Sequence, residues 1–114
     1  MKRIDLIISQ ERIYEVNELL HRHRVGGITF YDIKGRGRGK ISPVRAGTGV
    51  MRYVPEFGFG TKIEVLVSDS LAKQLVKDII DTMSTGSASD GKIFVYDAVE
   101  AYDIGTKQSG DAAL

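Results

Sequence analysis

The sequence predicts an α+β domain of the ferredoxin-like βαββαβ type, a four-stranded antiparallel sheet with both helices on one side. Three observations predict it. Four short runs of β-branched or aromatic residues are interspersed with two amphipathic stretches of helical period. The chain has 114 residues, the usual size of one domain. Its composition, 42% hydrophobic and 27% charged, is typical of a folded protein. We therefore expect one domain over residues 1–114.

The first three elements are a strand, a helix and a second strand. Residues 4–8 form a β-branched run that predicts a buried strand. Ser9 is a suitable N-cap for the helix that follows, with Glu11 in its first turn. Apolar residues then recur at helical spacing as far as the glycine pair 26–27: Ile13, Val16, Leu19 and Leu20. The second strand is expected over residues 28–33.

The last three elements are a strand, a helix and a strand. Residues 62–67 predict the third strand, and Ser68 or Ser70 is expected to cap the second helix. That helix has one apolar stripe: Leu71, Leu75, Val76, Ile79, Ile80 and Met83. A polar link leads to the fourth strand, residues 92–99. Because both helices cover the same sheet face, the other face has no cover within the chain, and we expect self-association to bury it.

The composition excludes several classes of function. The chain has no cysteine, which excludes a disulfide scaffold, a cysteine-ligated metal and a thiol nucleophile. Its two histidines, His21 and His23, make no metal centre, and no Ser–His–Asp set or carboxylate pair has a catalytic spacing. Its apolar runs are far too short to cross a bilayer. We therefore expect a cytoplasmic protein with no catalytic residues, no metal and no membrane insertion.

A long segment between the second and third strands has no sustained period. Residues 35–60 contain seven of the 13 glycines and both prolines, and loops of this length are usually functional or disordered. The basic run 34–40 fits either an anion-cradling strand end or a solvated hinge. The small-residue run 85–92 fits either an amide nest beside Lys92 or a plain helix cap and turn. Charge is asymmetric as well, since residues 1–62 carry 12 cations and 6 anions and residues 63–114 carry 4 and 9.

Several segments carry a resemblance over nearly the whole length: MKRIDLII at the start, GITF at 27–30, IKGRGR at 33–38, KIEVLV at 62–67, DGKIFV at 90–95 and GDAAL at the end. With the long loop between them, they resemble the PII nitrogen-regulatory signal-transduction family. The resemblance implies a non-enzymatic homotrimer whose three clefts bind adenine nucleotide (ATP, ADP or AMP) and often 2-oxoglutarate. It also implies a T-loop, about residues 37–57, that docks onto an enzyme or an ammonium transporter, and a C-terminal loop, about residues 101–114.

The resemblance also implies particular site residues. The nucleotide site would consist of Thr29 and Leu66 beside the adenine, Glu64 along the cleft, Gly37 and Arg38 near the phosphates, and Ser89, Asp90, Gly91 and Lys92 in the phosphate loop. Tyr53 matches the T-loop tyrosine that some members have uridylylated, and Arg45 and Arg52 are candidates for contact with a partner. Because Arg52 precedes Tyr53 and Val-Pro follows it, we expect no uridylylation here.

Six positions depart from the family pattern. In the phosphate loop, a lysine and one glycine of the family read Ser87 and Ser89. Asp103 and Gly105 stand where two arginines usually clamp phosphates, and Gly39 and Gly60 replace a glutamine and a lysine associated with 2-oxoglutarate. A carboxylate beside phosphates repels them. The sequence therefore predicts that ATP loses more affinity than ADP or AMP, and that cooperation with 2-oxoglutarate is weak or absent.

Three alternatives stay open from the sequence. RNA-recognition motifs share the βαββαβ order, so a Gly/Arg-loop nucleic-acid-binding module is one of them. Against it, the first strand lacks an aromatic platform and the net charge is only +1, so we expect no nucleic-acid partner. The cleft of a PII-like sensor could instead take another small anion. A weak ATPase would need a catalytic base, which the sequence does not offer.

Overall fold

The computed structural model describes residues 1–39, 44–45 and 52–114. Its elements in chain order are β1 (Lys2–Ile8), α1 (Ile13–Arg22), β2 (Thr29–Gly35), β3 (Val44–Arg45), β4 (Arg52–Tyr53), β5 (Gly58–Val67), α2 (Asp69–Met83) and β6 (Lys92–Asp97). The main sheet is antiparallel with strand order β2-β5-β1-β6. The predicted ferredoxin-like arrangement is therefore confirmed.

The core lies between this sheet and the two helices. On β1 the buried apolar side chains are Ile4, Leu6 and Ile8, and the facing residues on β5 are Ile63 and Val65. Residues two apart on a strand share a face, so this set defines the helix side of the sheet. The helices complete the core with Val16, Leu19, Leu20, Ala72, Leu75, Ile79 and Met83.

The beginning of the first helix differs from the prediction. Ser9 precedes a 3-10 turn, Gln10–Arg12, and α1 itself begins at Ile13. The Ser9 side chain makes no capping hydrogen bond, although its carbonyl accepts the Arg12 N–H at 3.1 Å. The second helix begins after Ser68 as predicted, but the Ser68 side chain also makes no capping hydrogen bond.

The lengths of all four predicted strands also differ from the prediction. β1 begins at Lys2 rather than at residue 4. β5 begins at Gly58 rather than at Lys62, and β2 continues to Gly35, because these two strands pair over seven residues down to Gly35↔Gly58. Glycine has little intrinsic β-propensity, so this extension comes from tertiary pairing and not from local preference. β6 is shorter than predicted and ends at Asp97.

The two irregular regions contain more order than the sequence indicated. Within the long segment, β3 and β4 pair antiparallel, with Val44 opposite Tyr53. In the C-terminal loop, Tyr102 forms an isolated bridge with Ser109, and a short 3-10 helix covers Gly110–Ala113. Lys40 of the basic run lies outside the described residues.

No helix in the described part of the chain is both long enough and apolar enough to cross a membrane.

Candidate functional site

A cleft of about 570 Å³ opens where β1 and β2 end and where β5 and β6 begin. One wall is the strap, residues 35–39, which leaves the sheet after β2; the other is the phosphate-loop candidate, residues 84–91, which joins α2 to β6. Five residues that the family resemblance assigned to a nucleotide all line this cleft: Gly37, Arg38, Ser89, Gly91 and Lys92. The structure thus brings together two segments about 50 residues apart in the sequence.

The cations near the cleft have different roles. Lys34 lies over the Phe59 ring, 5.2 Å from its centroid, and Arg36 forms an ion pair with Glu56 across the base of the long segment. Arg38 and Lys92 line the cleft and form no ion pair with the described residues. In the part of the chain that the structure describes, these two side chains are therefore available to an anion.

Asp90 holds its own loop together. Its carboxylate accepts hydrogen bonds from the Thr85 backbone N–H and hydroxyl, each at 2.6 Å, and from the Ser87 N–H at 3.2 Å. These bonds, those of Thr85 first, lower the pKa of Asp90 below its usual range. The Ser89 N–H in turn donates to Ser87 Oγ at 3.1 Å. Asp90 does not line the cleft, so the structure gives this predicted binding residue a positioning role.

Gly91 is the position where the loop meets the sheet. Its φ is +131°, a backbone conformation that residues with side chains rarely adopt. A β-carbon there would lie 2.2 Å from the carbonyl oxygen of Ile7, on the strand next to β6. Only glycine fits this junction.

The other three predicted nucleotide residues lie elsewhere. Thr29 and Glu64 are paired opposite each other, and Leu66 lies further along β5, at the end of the β2–β5 ladder away from the cleft. The ladder places Thr29↔Glu64 six residues from Gly35↔Gly58, about 20 Å at the usual strand rise. The Glu64 carboxylate accepts a hydrogen bond from the Tyr31 hydroxyl at 2.8 Å. The structure therefore separates the predicted site into two groups.

The open sheet face between these groups has a charged centre. Asp5 is only 1% exposed, and its carboxylate accepts two hydrogen bonds of 2.8 Å from Arg3 and lies 3.2 Å from Lys62 Nζ. The Arg3 guanidinium, and then Lys62, hold the pKa of Asp5 below its usual range. Arg3 also lies over the Tyr96 ring. The uncovered face was expected to carry apolar residues, and it carries them at its edges. Its centre is instead an ion cluster of four residues: Arg3, Asp5, Lys62 and Glu64.

Asp103 closes a turn of the C-terminal loop. Its carboxylate accepts the Thr106 backbone N–H at 2.8 Å, and this bond lowers the pKa of Asp103. Its own N–H donates to the Gln108 carbonyl, and its carbonyl accepts from Lys107, both at 2.9 Å. This charge is therefore held in a fixed turn. Asp103 and Gly105 do not line the cleft, whereas Gly39 and Gly60 do.

Sequence reasoning missed the apolar wall of the cleft. Ile7, Ile33 and Phe94 line it from three strands of the main sheet. The alternation along β1 indicated this for Ile7: its neighbours Leu6 and Ile8 face the core, so Ile7 faces the other side of the sheet. For the T-loop candidates, Arg45 lies opposite Arg52 and Tyr53 opposite Val44 in the β3–β4 pair.

The family is decided by comparison with known proteins. A family model described as Nitrogen regulatory protein P-II matches residues 1–108. The chain belongs to the P-II family of nitrogen regulatory proteins. This P-II chain is 35% identical to a P-II protein from Klebsiella oxytoca and 36% identical to one from Rhodospirillum rubrum, each comparison covering the full length of both proteins.

Solved structures agree on the P-II fold. GlnK from B. subtilis superposes with a TM-score of 0.77 at 24% identity, covering 99% of this chain and 97% of that one. A GlnK–ATP complex from the same organism gives a TM-score of 0.76, covering 99% and 96%. Membership of the P-II family makes this chain a nitrogen regulatory protein and disfavours the nucleic-acid-binding alternative.

Proposed function

We propose that this P-II protein is a cytoplasmic sensor that binds an adenine nucleotide in the cleft. It regulates a partner protein and does not itself catalyse a reaction. The observation that carries the proposal is the convergence of Arg38 on the strap with Lys92 and the small residues of the 84–91 loop. Two cations and a loop of hydroxyls suit a phosphate group. The ATP complex of the B. subtilis GlnK supports the same ligand class.

The site is complete only between two copies of the chain. Thr29, Glu64 and Leu66 lie at the opposite end of the β2–β5 ladder from the cleft. A single nucleotide contacts both groups if one subunit presents its Thr29 group to the phosphate end of its neighbour. Cyclic association through the open sheet face does this and covers exposed Leu66, Phe94 and Tyr96 as well. We therefore propose a homotrimer with three such sites.

Sedimentation velocity at micromolar concentration tests the assembly. We expect a single species with the mass of three chains, each of 12.6 kDa. Leu66→Asp places a charge at a residue that is 40% exposed in the isolated chain, so it is expected to dissociate the trimer without unfolding the subunit. Tyr14→Asp is the matched control on the outer surface of α1, where Tyr14 is 78% exposed, and it should leave the mass unchanged. A stable wild-type monomer would contradict the proposal.

The ligand preference follows from the charges available. Arg38 and Lys92 serve the phosphate end, while Asp103 contributes an ionised carboxylate if the neighbour's C-terminal loop approaches the cleft. The Asp103 carboxylate then repels a nucleotide more strongly with each phosphate that the nucleotide carries. We propose that ADP and AMP bind at least as tightly as ATP, and that 2-oxoglutarate adds no measurable affinity for Mg-ATP, since Gly39 and Gly60 offer no side chain to it.

Calorimetry with AMP, ADP and ATP, each with and without 2-oxoglutarate, measures this preference. Asp103→Asn keeps the acceptor for the Thr106 N–H and removes the charge, so it is expected to raise ATP affinity severalfold more than AMP affinity. Asp111→Asn, which makes the same charge change elsewhere in the C-terminal segment, is the control. Tight Mg-ATP binding that 2-oxoglutarate enhances would refute the predicted preference, and the absence of any nucleotide binding would refute the proposed function.

The T-loop, about residues 37–57, is the segment proposed to contact the regulated partner. The Arg36–Glu56 ion pair ties its two ends together next to the cleft. A ligand that contacts the strap is thus placed to change the geometry of the loop. We propose an enzyme or an ammonium transporter of nitrogen metabolism as the partner, with Arg45, Arg52 and Tyr53 as contact residues.

A further inference from the structure

The strap and the 84–91 loop meet at Gly39 and Ser89. A β-carbon added at Gly39 would lie 2.3 Å from Ser89 Oγ, 3.0 Å from Ser89 Cα and 3.1 Å from Ser89 Cβ. The φ of Gly39 lies outside the left-handed region, so its backbone would accept alanine. The requirement for glycine at this position is therefore steric, and Ser89 imposes it.

Hydrogen bonds within the 84–91 loop also hold Ser89 in place. Its N–H donates to Ser87 Oγ, and the Ser87 N–H donates to the Asp90 carboxylate, which Thr85 anchors through two further hydrogen bonds. A loop with this many internal bonds does not retreat freely from an intruding side chain. The Ser89 hydroxyl itself has no hydrogen-bond partner in the described part of the chain, and Ser89 lines the same cleft as Arg38 and Lys92.

We propose that Gly39 and Ser89 form an interlocked pair that determines the shape and the specificity of the anion-binding end of the cleft. Ser89 fills the volume that any side chain at position 39 would need, which allows the strap to rest against the 84–91 loop. The Ser89 hydroxyl then donates a hydrogen bond to the anionic group of the ligand. The steric half of this inference is independent of the ligand, whereas the hydroxyl's role rests on the proposed nucleotide site.

A double-mutant cycle tests the steric half without ligand. The proteins are wild type, Gly39→Ala, Ser89→Gly and the double variant, and the measurement is amide hydrogen exchange in residues 84–91. Gly39→Ala is expected to raise the exchange rate about tenfold when Ser89 is present, and by less than about threefold in the Ser89→Gly background. Glycine at position 89 raises the exchange rate of the loop by itself. This contribution cancels because each Gly39→Ala effect is measured against the parent protein with the same residue at position 89.

Gly37→Ala is the matched control on the same strap. Nothing lies within 4 Å of the place that a β-carbon on Gly37 would occupy, and its φ is outside the left-handed region, so exchange in residues 84–91 should stay at the wild-type rate. Equal effects of Gly39→Ala in the two backgrounds would overturn the interlock. An effect of Gly37→Ala as large as that of Gly39→Ala would overturn it too, because the response would then belong to the strap in general.

Calorimetry with ADP on the same proteins tests the hydroxyl. Ser89→Gly is expected to weaken ADP binding about tenfold, the usual effect of removing a hydrogen bond to a charged group. Unchanged ADP affinity in Ser89→Gly would overturn the hydroxyl's role and leave the exchange cycle to decide the interlock. If wild type itself binds no ADP, the proposed nucleotide site fails and the hydroxyl's role fails with it, while the exchange cycle still confirms or refutes the interlock.

Discussion

Replacing Gly91 by alanine is expected to lower the free energy of unfolding by roughly 2 to 5 kcal/mol, because two costs combine at one residue. Alanine is strained at a φ of +131°, and its β-carbon would lie 2.2 Å from the Ile7 carbonyl oxygen. That oxygen belongs to the backbone of β1, whose Ile7 is paired with Lys92, so relief requires the strands to part at the cleft. Urea denaturation at fixed protein concentration measures the effect.

Gly86→Ala separates the two costs. Gly86 lies in the same loop with a φ of +84°, but nothing lies within 4 Å of a β-carbon there. Its replacement should therefore cost only the backbone strain, about 1 to 2 kcal/mol. If both variants lose the same free energy, the close approach of Gly91 to Ile7 is not what makes glycine necessary.

Replacing Asp5 by alanine is expected to cost about 3 kcal/mol of unfolding free energy, the lower end of the range for breaking a buried ion pair, because the partner cations keep some access to water. The carboxylate is 1% exposed and lies between Arg3 and Lys62. Without it, Glu64 would be the one carboxylate among the described residues that forms ion pairs with these two cations. Denaturation by urea under the same conditions measures the loss.

Asp97→Ala is the matched control for Asp5. Asp97 forms an ion pair with Lys2 across the β1–β6 strand pair, which also contains Arg3 and Tyr96. Its side chain is 82% exposed, however. Surface pairs contribute little, so this variant should be close to wild type. Comparable losses in the two variants would show that burial of Asp5 is not decisive.

The pH dependence of stability provides a second measurement on Asp5. Because Arg3 and Lys62 lower its folded-state pKa, the carboxylate contributes stability that is fully present above its ordinary pKa of about 4 and is lost as the pH falls through the folded-state value. The difference in unfolding free energy between wild type and Asp5→Asn should therefore shrink below about pH 4. A difference that stays constant down to about pH 2.5 would contradict the lowered pKa.

Much of the site could be predicted, but only as a set of candidates. The resemblance assigned nine residues to the nucleotide, and five of them line one cleft. The resemblance assigned Asp90 there as part of the phosphate-loop motif, yet its carboxylate accepts hydrogen bonds from Thr85 and Ser87. Thr29 was assigned to the same ligand, and within one subunit it lies at the end of the ladder away from the cleft, so its assignment stays a prediction. Adjacency in a motif does not determine where a side chain points.

The sequence by itself determined the fold class, the family and the order of the two helices and the four strands of the main sheet. These properties depend on local patterns: the run at residues 4–8, the helical stripe of α2 and the segments shared with P-II proteins. Only the tertiary structure decided that Gly39 meets Ser89, that Asp5 is buried between Arg3 and Lys62, and that Gly91 approaches Ile7. The physical reason is that each of these contacts is set by the register between strands or by the docking of one loop on another, and residues distant in the chain have no local pattern that records which of them meet.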